Sequence, residues 1–211
     1  MGAESFQGDF MTRPVHVQMF LAATFILFAL AFFHSSCTMQ PTKPVVEAQQ
    51  KPAILLAWGL SHPDWDKYLS DAVNSSSLKP DVKLPCKKLN AKDCLIQTIS
   101  IMAKYESSFN PAEKYTESFA DASGVKVVSR GLLQVSQESA NQKAYDCKIT
   151  DPKQLHDPKI NLECAVKIAV KWINQDGVFF GGDKLGLGRY WSVGRKSSGS
   201  NAKILKYLEG L

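Results

Sequence analysis

The stretch "NAKDCLIQTISIMAKYESSFNP", Asn90 to Pro111, specifies one helix and ends it on an acid. Asn90 is an N-cap with Asp93 at N3, and neither glycine nor proline interrupts the chain until Pro111. At 100° per residue, Leu95, Ile99, Met102 and Glu106 fall within about 60° of arc, with Lys104 opposite them. Glu106 therefore belongs to the buried stripe of a central helix. Desolvation there disfavours the carboxylate, and so does the negative end of the helix dipole, so both raise its pKa toward that of a proton donor. The bland alternative is a helix-end glutamate turned to solvent or paired with Lys104 or Lys114.

Working outward, "SHPDWDKYLSDAVNSS" carries a Ser61 to Asp64 capping-box pattern, with Trp65, Leu69 and Val73 on one face. It reads as a short accessory helix. In "DPKINLECAVKIAVKWI", Asp157 caps, Pro158 takes N1 and Gly177 ends a second long helix, Pro158 to Asp176. Asn161 shares a face with Ala165, Ile168 and Trp172, which predicts an inward, hydrogen-bonded amide. "SRGLLQVSQESA" reads as a loop entering a helix, with Gly131 allowing a close approach and Gln134 offering a hydrogen-bonding group. The β-branched "VKVV", Val125 to Val128, predicts a small sheet.

The order "ESSFNP", a gap, then "GLLQVS" resembles the catalytic core of soluble lytic transglycosylases and goose-type lysozymes, whose pattern is E-S-x-F-N-P followed by G-L-M-Q. "DPKINL" is similar to that family's D-P-x-x-N-L helix, and "LGRYWSV" stands where members carry an aromatic motif, often Y-N-x-G. The resemblance runs from about Leu84 to the C-terminus. It departs in a longer Pro111 to Ser129 segment, in "VSRG" where a G-A motif is usual, and in Trp191 replacing asparagine. It implies a mainly α, lysozyme-like fold of the α+β lysozyme superfamily, in a single domain preceded by a signal and a tether.

The resemblance also implies a function, namely cleavage of the MurNAc–GlcNAc β-1,4 bond of peptidoglycan with Glu106 as the catalytic acid. Ser107, Gln134 and Tyr190 would bind or orient substrate around it: Ser107 beside the acid, Gln134 on an N-acetyl or hydroxyl group, Tyr190 orienting Glu106. Each also has a structural role open to it, as a helix-end cap, a backbone partner or core. Phe109 reads as packing, and Trp191 as core or a sugar-stacking ring. A transglycosylase needs one carboxylate, because the sugar's own 6-hydroxyl attacks and leaves a 1,6-anhydro end. A goose-type hydrolase adds a second, for which Glu113, Glu117 and Asp121 are available. In so polar a loop those acids read as solvated, and economy of groups favours the single-acid route. A wall-binding lipoprotein without activity is the rival from another class.

Composition frames this reading. The 211 residues hold 25 Lys and Arg against 20 Asp and Glu, a formal charge of +5 with pI near 8.9. The lysines are scattered and form no basic block, which argues against nucleic acid and fits an anionic wall polymer. From Met19 to Phe33 runs "MFLAATFILFALAFF", about 22 Å as a helix against the ~30 Å core of a bilayer, so it reads as a signal-peptide h-region. "FHSSC" resembles a lipobox ending at Cys37, with His34 atypical; this predicts a lipid anchor in the periplasm or at the outer membrane, with ordinary secretion as the alternative. The expected division is 1–37 signal, 38–60 tether, 61–85 accessory helix and loop, and 86–211 the lysozyme-like domain, acting as a monomer. The remaining cysteines predict disulfides Cys86–Cys94 and Cys147–Cys164 as nearest neighbours, although four cysteines allow three connectivities. No C-x-x-C occurs and histidines are sparse, so no metal site or cofactor is expected.

Overall fold

The computed structural model describes residues 55–211; the signal segment, Cys37 and most of the tether lie outside the described residues. Five α-helices and one small sheet follow in chain order: α1 (Pro63–Asn74), α2 (Ala91–Ser107), β1 (Lys114–Ala120), β2 (Lys126–Arg130), β3 (Val135–Ser136), α3 (Gln137–Ala140), α4 (Pro158–Asp176) and α5 (Gly199–Glu209). This is a mainly helical, lysozyme-like body with a three-stranded antiparallel sheet ordered β1-β2-β3.

The Asn90 side chain accepts from the Asp93 amide at the start of α2. Leu95, Ile99 and Met102 are wholly buried and Lys104 is exposed, as the periodicity requires. Gln97, Thr98, Ser100 and Ile101 are buried too. The helix is central and enclosed on nearly every side, packed by α1 and α5. In α4 the Asp157 carboxylate accepts from the Lys159 and Ile160 amides, and Gly177 closes the helix at φ 70°.

Three expectations need correction. The accessory helix starts at Pro63 with His62 at its cap and no side-chain capping bond; the His62 ring stacks on Trp65 at 3.7 Å instead. Within residues 55–60, assigned to the tether, Leu56 and Trp58 are buried, and the Trp58 indole donates to Asp66. Leu69 and Val73 of α1 join the same hydrophobic core as α2 and α4, as expected of a helix that packs on the domain. Finally, the segment after Pro111 is a hairpin. Lys114 to Ala120 forms β1, pairing with β2 as Tyr115↔Ser129 and Thr116↔Val128, then slipping to Ala120↔Lys126.

The disulfides are Cys86–Cys94 and Cys147–Cys164. The second ties the loop before α4 to that helix.

Candidate active site

The end of α2 turns sharply. Ser108 and Phe109 follow at φ 52° and 63°, in the left-handed region where glycine usually closes a helix. Phe109 is held by an edge contact with Trp58, at 6.3 Å between centroids. Asn110 then accepts from the Ala112 amide and donates to Glu113, while His156 bonds to the Pro111 carbonyl at 2.9 Å. This bend leaves Glu106 facing a cleft of about 490 Å³ lined by Glu106, Ser107, Asn110, Tyr115, Glu117 and Gln134, among others. A larger groove of about 1020 Å³ between α1 and α4 contains none of these residues.

Glu106 is half-buried as a residue, but its Oε1 is shielded from solvent and has no hydrogen-bonding partner. Burial, and next the charge of Glu117, push its pKa up to about 8; the Val193 amide and Arg195 pull the other way without offsetting them. The acid therefore holds its proton at neutral pH.

Gln134 is the third left-handed residue at this site, at φ 46°. Its Nε2 donates to the carbonyls of Gly131 at 2.8 Å and Glu113 at 3.3 Å. Both partners are acceptors, which fixes the amide's orientation and leaves Oε1, buried and unpartnered, as an acceptor at the cleft. Asn161 braces this turn from beneath, accepting from Leu133 N and donating to the Arg130 and Leu155 carbonyls, each at 2.9 Å. Gly131 explains its own presence: at φ 75°, a Cβ there would lie 2.0 Å from the Leu155 oxygen.

Ser107 lines the cleft, but its hydroxyl bonds back to the Ala103 carbonyl. Tyr190 does not line the cleft; burial pushes its pKa up to about 12, with Ser139 and the Ser136 backbone pulling the other way. It senses the Glu106 charge only as a minor effect. Trp191 is core: 2% exposed, with its indole donating to the Leu133 carbonyl at 2.7 Å.

Sequence reasoning passed over Glu117 as a solvated loop acid. It is the only residue of β1 that is not exposed, and Ser129 Oγ donates to its Oε1 at 2.6 Å. It sits where the strand pairing slips, and such bulges bend a strand and re-aim side chains. The signal available was the alternation in "YTESF", with aromatic residues flanking the acid at period two.

A mainly helical body, a short antiparallel sheet walling a cleft, and a protonated glutamate at the end of the central helix define a lysozyme-like protein. The sequence model of the Transglycosylase SLT domain matches residues 84–177. The solved structure of Bd0314 DslA, wild-type form 2, is 34% identical with a TM-score of 0.65, over 73% of this chain and 94% of that one. This chain belongs to the SLT-type lytic transglycosylase family. Two glutamate-to-glutamine variants of DslA match at 32% and 33% identity, with TM-scores of 0.64 and 0.63. The first covers 74% of this chain and 96% of its own, the second 73% and 94%. The glutamates replaced in them lie eleven residues apart, the separation of Glu106 and Glu117 here. No protein of curated function matches the chain by sequence.

Proposed function

We propose that the protein cleaves the β-1,4 bond between MurNAc and GlcNAc in peptidoglycan glycan strands, with Glu106 as general acid and Glu117 as the second carboxylate of a hydrolase. The observation carrying this reading is the unequal pair in one cleft: Glu106 kept protonated by burial and by Glu117, and Glu117 held by the Ser129 hydroxyl. Two carboxylates in different environments divide the roles of acid and base.

Glu106 gives its proton to the glycosidic oxygen as the C1–O bond breaks. Glu117 faces the oxocarbenium-like centre and takes a proton from the water that adds to C1, leaving a reducing end. Gln134 Oε1 accepts from an N-acetyl N–H or a hydroxyl of the bound sugar, and satisfying that buried oxygen favours a substrate that offers a donor there. Val193 N–H and Arg195 steady the Glu106 anion once its proton has gone.

The second reading, favoured by the family match, is the single-acid transglycosylase in which Glu106 takes its proton back from the 6-hydroxyl and Glu117 is dispensable. Incubating the protein with purified peptidoglycan and weighing the released sugars separates them. Reducing ends that vanish in Glu117→Gln support hydrolysis. Anhydro ends that persist in Glu117→Gln support transglycosylation, and no release at all leaves a wall binder. Export and a lipid anchor at Cys37 complete the proposal, placing the domain where its polymer lies.

A further inference from the structure

Six large apolar side chains stand strongly exposed among the described residues, and Tyr115, at 61%, is the one that lines the cleft holding Glu106 and Glu117. Its position follows from the sheet. Tyr115 pairs across the ladder with Ser129, so the two share a sheet face, and Ser129 is the residue whose hydroxyl holds Glu117. No ring or hydrogen-bonding partner engages the Tyr115 side chain among the described residues. An aromatic ring left open at the mouth of a polar cleft contributes nothing to the core and keeps its apolar face available.

The rest of the cleft makes that ring distinctive. Its other lining residues are Glu, Ser, Asn and Gln, which address hydroxyl and amide groups but offer no apolar face. A pyranose presents both chemistries: polar groups at its rim and a C–H face that packs flat on an aromatic ring. We propose that Tyr115 forms a sugar subsite beside the scissile bond, stacking on the C–H face of one hexosamine ring of the glycan strand while Glu117 and Gln134 meet its polar edge. The proposal rests on glycan cleavage at this cleft and adds a determinant of affinity outside the acid–base chemistry.

Kinetics on soluble glycan strands test it, together with pull-down on insoluble peptidoglycan in the Glu106→Gln background. An aromatic contact of this kind is worth roughly three- to tenfold in affinity. Tyr115→Ala should therefore raise KM by that factor with kcat within about twofold, and lower the bound fraction in the pull-down. Tyr115→Phe should behave as the parent, since the ring carries the contact. Phe119→Ala is the control, because Phe119 is 58% exposed on the same hairpin but does not line the cleft; it should change neither readout. Unchanged KM and binding in Tyr115→Ala would overturn the subsite. So would equal losses in Tyr115→Phe, which would place the effect in the hydroxyl, or equal losses in Phe119→Ala, which would mean general stickiness. Binding and cleavage report separately: a protein that never cuts but binds through Tyr115 keeps the subsite and loses the hydrolase reading.

Discussion

Replacing Glu106 by glutamine should stabilise the protein more and more as pH rises while removing its activity. A glutamate that titrates at 4.5 when unfolded and at about 8 when folded holds a proton in the native state that the unfolded chain has already released. Between those two values the native state binds more protons, so its stability falls with rising pH, at ~1.4 kcal/mol per pH unit. The stability is complete below the unfolded pKa and lost as pH climbs through the folded one. Over the full window the loss approaches about 5 kcal/mol, a large part of a domain's usual reserve. Glutamine does not titrate and keeps the side chain's shape. Urea unfolding at pH 5, 7 and 9 should show the Glu106→Gln curve moving ahead of the parent by most of that amount between the extremes. Turnover in the same variant should drop by ~10²- to 10⁴-fold with little change in glycan binding. Parent activity should itself fade above pH 8, as the acid loses the proton it must donate. If the two stability curves run parallel across pH, Glu106 is not the desolvated acid described here. If turnover survives, it is not the catalyst.

Glu117→Gln removes the second-largest push on the Glu106 pKa, so the pH window over which stability declines should end at a lower pH, read from the same unfolding series. Ser129→Ala deletes the hydroxyl bonded to Glu117 and should lower kcat roughly tenfold while leaving KM near the parent value, measured on soluble glycan strands. Gly131→Ala should cost about 3 kcal/mol or more in urea unfolding, because its Cβ would meet the Leu155 carbonyl and its φ is left-handed. Cys37→Ala should release a membrane-associated protein or block its processing, scored by fractionation; unchanged partition would support ordinary secretion.

Local rules carried much of this protein into view from residue order alone. Caps at Asn90 and Asp157, the stop at Gly177 and the 3.6-residue period set α2 and α4, because each depends on side chains within a few positions of one another. The inward turn of Asn161 and the burial of the Glu106 stripe followed from the same period. What residue order could not supply was the neighbour across space. Lys114 to Ala120 looks like polar loop because six of its seven residues face solvent, and only pairing with β2 makes it a strand. That pairing brings Ser129 to Glu117, and Glu117 into the field of Glu106, turning one acid into an unequal pair. Trp191 went to the core and Tyr190 off the cleft lining because their partners, Leu133 and Ser139, lie more than fifty residues away along the chain. Helix ends and helix faces are local quantities; the acidity of a carboxylate is set by whatever the fold places around it.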